Sequence, residues 1–181
     1  ALAEFVPGLT VFNPRDSVTA LQNVAKQLHS RPDALEDPVF VIVFDLARFR
    51  DLRKSDDEFG GFGGFDKPKT VSPASLFSEI IKDGRASGIF PLVWADGYQA
   101  SLRWLGRELM NRFEHRVLFA MNANDSSNLI DSPAAGRLGT NRALLFRGDL
   151  GTVDKFRPYK APLLGWLHEL RYAQHESVAA P

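Results

Sequence analysis

The chain has 181 residues, of which 44% are hydrophobic and 24% are charged, a composition typical of one globular domain with a sizeable core. Its 22 Lys and Arg residues balance its 22 Asp and Glu residues, which excludes a strong global attraction to nucleic acid or to an anionic membrane but leaves a local basic patch open. Cysteine is absent, which excludes a disulfide scaffold, a thiol nucleophile and a thiolate zinc site.

Strand-like and helix-like segments alternate along the chain, which predicts an α/β fold with parallel strands joined by right-handed crossovers. A short opening strand is expected at Leu9–Phe12, and Ser17 is expected to cap the helix that follows. The clearest strand is Val39–Phe44, whose unbroken apolar run favours a strand buried on both faces of a parallel sheet. The later elements are expected as strands over 89–95, 116–121 and 143–146 and helices over 75–83, 98–113 and 163–172.

A stretch rich in glycine and phenylalanine interrupts this alternation at residues 54–71. Four glycines fall within Gly60–Gly64, too many for the interior of a stable helix or strand. The stretch is either a mobile surface loop or a contact to a phosphate or a partner. A phosphate-binding P-loop is not indicated, because no Lys-Ser or Lys-Thr follows the glycines.

Two carboxylates follow predicted strands at the point where each strand ends. Asp45 follows the strand at Val39–Phe44, and Asp96 follows the strand at 89–95. Ligands of open α/β sheets gather at the carboxyl ends of the strands, where a carboxylate can hold magnesium through a water molecule. A helix cap or a turn explains Asp45 equally well at this point.

Two basic segments leave alternatives open. Arg85 lies between two glycines, where its guanidinium either reaches a neighbour's phosphate or is an ordinary surface group. The basic and aromatic segment Gly151–Lys160 either touches a nucleic-acid backbone or covers a sheet edge with its rings. The four histidines lack the spacing of a metal site.

Several segments in the second half of the chain resemble one family of motor proteins. Gly84–Ile89 reads Gly-Arg-Ala-Ser-Gly-Ile and precedes a strand, and Arg116–Met121 reads Arg-Val-Leu-Phe-Ala-Met. These are followed by Asp125–Asp131, Ala134–Ala135 and Leu138–Gly139. In this order and spacing they are similar to the corresponding segments of FtsK/SpoIIIE-type DNA translocases of the HerA/FtsK superfamily, over about residues 35 to 147.

The resemblance implies a RecA-like three-layer sandwich with a mostly parallel central sheet, of which residues 1–172 are the carboxyl-side part and 173–181 a loose tail. It implies an ATP- and Mg²⁺-dependent translocase that moves double-stranded DNA through a hexameric ring in the cytoplasm. By the resemblance, Asp45 falls at or beside the Walker B acidic pair and contacts magnesium indirectly. Asp96 falls near the polar sensor position, and Arg85 near an arginine that faces the adjacent subunit's nucleotide.

Departures from the family pattern keep a second interpretation open. The Walker A half would lie upstream of Ala1, so this segment alone is expected to be inactive. It is also expected to make no membrane contact. The family's Asp-Glu pair reads either Phe44-Asp45 or Asp45-Leu46 here, so no glutamate is present to polarise the attacking water, and the sensor position holds Asp96. The alternative is therefore a degenerate, non-hydrolysing RecA-like module for partner binding or ring assembly, as in secretion ATPases that act on protein.

Overall fold

The computed structural model describes residues 6, 8–31, 37–53 and 72–169, which form alternating helices and strands. The helices are α1 (Ser17–Ser30), α2 (Pro73–Asp83), α3 (Tyr98–Met110) and α4 (Ala123–Ile130). The strands are β1 (Val39–Val43), β2 (Ile89–Val93), β3 (His115–Leu118), β4 (Ala143–Arg147) and β5 (Thr152–Phe156). The α/β fold class is confirmed.

The strands form two sheets, and only one of them is parallel. β1 and β2 pair in parallel, with Val39 opposite Ile89 and Val43 opposite Val93. β3, β4 and β5 form an antiparallel sheet in that order. The expectation of a mostly parallel sheet is therefore wrong for the described strands. A short turn joins β4 to β5, and a connection of that length permits only antiparallel pairing.

The main core lies on one face of the β1–β2 sheet. Val39 and Val41 pack toward helices α1, α2 and α3, whose buried side chains include Leu21, Phe77 and Leu105. A smaller second cluster is made by Leu118, Ile130, Ala135 and Leu144.

The other face of β1 is more exposed than the sequence predicts. Phe40, Ile42 and Phe44 are 60%, 63% and 65% exposed, so the prediction of a strand buried on both faces is wrong. An apolar run without polar alternation does not distinguish a two-faced strand from one whose outer face is also apolar. We call the residues Phe40, Ile42, Phe44, Leu92 and Trp94 the outer sheet face.

Local sequence explains where the helices begin and end. Ser72 caps α2, because its hydroxyl accepts a hydrogen bond from the Ser75 amide at 3.1 Å, and Pro73 occupies the first turn. Asn122 caps α4 in the same way through the Asp125 amide at 2.8 Å. α3 contains a break at Gly106, whose φ of 67° lies in the left-handed region, and it ends at Met110 rather than at residue 113.

Other sequence predictions have mixed outcomes. Leu9–Phe12 is not a strand, and β5 was not predicted as one. The last helix occupies 164–169, and its predicted continuation lies outside the described residues. The stretch 54–71 and the tail 173–181 also lie outside them. Within the described ranges, none of the helices has the length and apolarity needed to cross a bilayer.

Candidate functional site

Asp45 and Asp96 lie at the same edge of the parallel sheet, as the sequence predicts. The pairing of β1 with β2 continues past the strand ends, because the Trp94 amide donates to the Val43 carbonyl and the Leu46 amide donates to the Trp94 carbonyl, both at 2.9 Å. These two hydrogen bonds bring the carboxyl ends of both strands together. The two aspartates therefore follow neighbouring strand ends, at the edge where open α/β sheets bind their ligands.

Asp45 has an unusual backbone conformation for a residue with a side chain. Its φ of 63° and ψ of 76° lie in the left-handed region, which costs an L-residue about 1–2 kcal/mol, less for Asp than for most. The short helical turn Leu46–Arg48 follows, but the Asp45 side chain makes no capping hydrogen bond to it. Strain of this kind is found more often at functional sites than elsewhere. The Asp45 side chain is therefore not a cap, whereas its backbone position at the start of the Leu46–Arg48 turn agrees with the turn interpretation. Its carboxylate accepts no hydrogen bond from the described residues.

Leu46 is turned into the core by the conformation of Asp45. Its side chain is 0% exposed and belongs to the main core cluster. A glutamate at this position would have to bury a carboxylate among apolar side chains, which is costly without a partner. Position 46 is therefore a packing position in this fold.

The carboxylates at this sheet edge fit an indirect contact to magnesium, through water, rather than a complete metal site. Magnesium keeps several waters and is commonly held by one or two carboxylates together with substrate phosphates. The half-buried Asp45 carboxylate at the sheet edge fits such a role, and Asp96 is exposed nearby. Among the residues that the structure describes, no group of three or more His, Asp or Glu side chains could hold a metal by itself.

Arg85 lies at the opposite end of the sheet from the two aspartates. It belongs to the short turn Gly84–Ser87, which leads into the first residue of β2. Its guanidinium donates to the Glu114 carboxylate at 2.8 Å, and the two side chains are 75% and 44% exposed. The structure therefore does not bring Arg85 together with Asp45 and Asp96 within one chain.

The two glycines that flank Arg85 have separate structural reasons. A Cβ added to Gly84 would lie 2.8 Å from the Ile89 carbonyl oxygen, which is too close for any side chain. Gly88 has a φ of 70° and ends the turn before β2. Part of the Gly-Arg-Ala-x-Gly-Ile segment is thus required by the tight passage from α2 into β2.

Arg116 is a structural residue whose role the sequence does not show. Its guanidinium donates to the carbonyls of Met110 and Phe113 at 3.1 Å each and also to that of Leu129, and it lies 5.7 Å from the centre of the Phe146 ring. Burial lowers the pKa of Arg116 from its ordinary value, and Asp131 acts in the opposite direction. One side chain thus ties the ends of α3 and α4 to β3.

Comparison with solved structures finds a likeness to TcpA, the conjugation coupling protein of pCW3, in its monomer form with ATPγS. The TM-score is 0.63 at 13% sequence identity, and the match covers 89% of this chain and 50% of the TcpA chain. This chain shares its fold with about half of a conjugation coupling protein. Comparison of the sequence with models of protein families and with curated proteins finds no match.

The likeness to TcpA concerns the fold, because the sequences are too different to transfer a function. It agrees with the α/β class observed here. Since the match ends at half of the TcpA chain, this segment corresponds to part of that protein rather than to the whole. The roles of individual residues therefore have to be argued from the geometry of this chain.

Proposed function

We propose that this chain is the carboxyl-side part of a RecA-like motor domain in an ATP-dependent DNA translocase of FtsK/SpoIIIE type. The observation that carries the proposal is the shared fold, over 89% of the chain, with a coupling protein whose structure contains ATPγS. The arrangement at the sheet edge adds support, because a strained aspartate follows β1 where an acidic residue of such motors is expected. In the full-length protein, ATP binding and hydrolysis would be coupled to movement of double-stranded DNA through a hexameric ring.

Each candidate residue has a distinct role in this proposal. Mg²⁺ supplies charge neutralisation on the phosphates when it is bound. Asp45 orients its water ligands, and Asp96 lies on the same edge, where it contacts the terminal phosphate. Arg85 lies at the other end of the sheet and acts on the nucleotide of the adjacent subunit.

The pairing of Arg85 with Glu114 is compatible with that last role. Because both side chains are largely exposed, the ion pair is screened by solvent and is worth no more than about 1 kcal/mol. A phosphate offers a planar guanidinium a stronger, bidentate partner than an exposed carboxylate does. Arg85 can therefore exchange Glu114 for a phosphate at low cost.

The buried Leu46 favours a second candidate function. Neither sequence neighbour of Asp45, Phe44 or Leu46, carries the second carboxylate of an acidic pair that would polarise the attacking water. The second candidate is a non-hydrolysing RecA-like module that binds a nucleotide or a protein partner and contributes to ring assembly.

The test is Mg²⁺-dependent ATP turnover by the full-length protein, with and without long double-stranded DNA. We expect DNA to stimulate turnover and Asp45→Asn to reduce it at least about tenfold. Asp51→Asn is the matched control, because Asp51 is exposed on a neighbouring turn and has no role in the proposal. Nucleotide binding without turnover, with an intact upstream P-loop, would favour the assembly module. If a protein substrate stimulates turnover and DNA does not, the translocated polymer is protein rather than DNA.

A further inference from the structure

A cleft of about 680 Å³ opens where β3 and β5 end and β4 begins. Phe119 follows β3, Arg142 precedes β4 and Arg157 follows β5, so three neighbouring strands of one sheet position its walls. The volume falls within the range of about 300–1,000 Å³ that is usual for small-molecule sites. Neither Asp45 nor any other residue of the candidate magnesium site lines this cleft.

The cleft concentrates positive charge in a protein whose net charge is zero. Arg142, Arg157 and Lys160 line it, and none of the described residues that line it is Asp or Glu. Arg142 donates one hydrogen bond to the Asn141 carbonyl at 3.2 Å, and none of the three cations forms an ion pair with another described residue. Three cations held close together without counter-charges attract an anion.

Two aromatic rings stand beside these cations. Tyr159 is fully exposed, and Phe119 is 41% exposed. The Phe119 ring is held in place by Trp94, since the two ring centres are 5.6 Å apart. Exposed rings next to a basic groove are the combination with which proteins stack the bases and contact the phosphates of nucleotides.

The size and chemistry of the cleft favour one class of ligand. An apolar ligand would remove three cations from water without replacing their hydration. Inorganic phosphate would satisfy the cations but would fill a small part of the volume and leave both rings in water. A nucleotide satisfies the two requirements together, because its phosphate pairs with the cations and its base stacks on a ring.

We infer that this cleft binds a nucleotide unit, supplied either as a free nucleotide or as part of a nucleic-acid strand. Arg157 and Lys160 contact the phosphate, and Tyr159 stacks on the base. The inference deepens the proposed function and rests on it, since ATP and DNA are the ligands of the proposed motor. The structural support for the inference comes from the cleft alone, and the test of the inference measures binding rather than turnover.

The experiment measures two affinities in the full-length protein and in its variants. Calorimetry measures the binding of ATP, and fluorescence anisotropy measures the binding of a short labelled oligothymidylate. The variants are Arg157→Gln/Lys160→Gln, which removes two charges, and Tyr159→Ser, which removes a ring. All three side chains are exposed, so the variants are expected to fold. The matched control is Arg15→Gln/Arg103→Gln, which removes two exposed charges on other elements.

We expect the charge variant to weaken at least one of the two affinities about tenfold for each charge removed. If the ligand is a strand, the slope of log affinity against log salt also becomes shallower by about 0.7 for each phosphate that the variant no longer neutralises. Tyr159→Ser is expected to weaken the same affinity at least about fivefold. Weakening of ATP binding alone identifies a free nucleotide, and weakening of oligothymidylate binding alone identifies a strand.

Two results would overturn the inference: unchanged affinity for both probes, or equal weakening in the cleft variants and in the control. Neither result depends on turnover. A protein that hydrolyses ATP with DNA stimulation but shows no effect of the cleft variants retains the proposed function and loses the inference. If the protein does not hydrolyse ATP but its cleft variants bind the probes less tightly, the inference is retained and the proposed translocase function is lost.

Discussion

At the scale of single residues, Asp45 and Leu46 show how one backbone conformation decides the chemistry of a sheet edge. The left-handed conformation of Asp45 leaves its carboxylate without a described hydrogen-bond donor and directs Leu46 into the core. The sequence shows only that neither neighbour of Asp45 is a glutamate. The structure adds that a glutamate at position 46 would destabilise the fold, so the substitution Leu46→Glu does not simply create an acidic pair.

The strain at Asp45 can be measured as stability. Because glycine adopts positive φ without a steric cost, we expect Asp45→Gly to raise the free energy of unfolding by roughly 0.5–1 kcal/mol. Asp51→Gly, in an ordinary helical turn, is expected to lower it by a similar amount. Urea denaturation of both variants provides the measurement. A loss of stability in Asp45→Gly equal to that in Asp51→Gly would show that the conformation of Asp45 is not strained.

At the scale of elements, Arg116 joins three segments that are distant in sequence. Its planar group donates to carbonyls at or near the ends of α3 and α4, where the backbone carries partial negative charge. The chain uses one half-buried cation where separate caps would otherwise be needed.

Removal of this cation is expected to be costly. We expect Arg116→Met to lower the free energy of unfolding by about 3 kcal/mol, because several charge-assisted hydrogen bonds disappear and their carbonyls stay half-buried. Arg116→Lys should recover little of this, since an ammonium group lacks the planar fork. Arg103→Met, at an exposed site on α3, is the control and should change stability by less than about 0.5 kcal/mol. Equal effects of Arg116→Met and Arg103→Met in denaturation curves would contradict the bridging role.

The elements also show how much the sequence can predict. The spacing of buried residues such as Leu21 and Leu28 is set by helix geometry, so periodicity locates α1 and α2 well. β5 was missed because every one of its residues is exposed, and an exposed strand leaves no burial pattern in the sequence. The edge location of Asp45 and Asp96 follows from strand order, whereas the cleft of Arg142 and Tyr159 depends on how three strand ends converge.

At the scale of the whole molecule, the two cores differ in size and in expected stability. The main cluster includes Phe77 and Ile80, which are 1% and 0% exposed, and the second cluster has few buried members. Local opening is easier where fewer apolar side chains have to enter water. The antiparallel sheet is therefore expected to open more often than α2 and the parallel sheet.

Hydrogen exchange followed by mass spectrometry tests this difference. We expect amides of 76–81 in α2 to exchange about a hundredfold or more slowly than amides of β5, after correction for intrinsic rates. β4 should fall between them, because it pairs on both sides but is covered by the smaller cluster. Equal protection throughout would indicate that the two clusters unfold as one unit.

The register of the strands has a consequence for the order of folding. Val39 pairs with Ile89, about fifty positions later in the chain, whereas Arg147 pairs with Thr152 across a short turn. Closing the longer loop costs more chain entropy, so the β4–β5 hairpin can form long before β1 finds β2. During that interval the face of β1 that later joins the core, with Val39 and Val41, is exposed together with the face of Phe40 and Ile42. Until β1 pairs with β2, the nascent chain therefore exposes an apolar segment on both faces, the kind of segment through which folding intermediates associate.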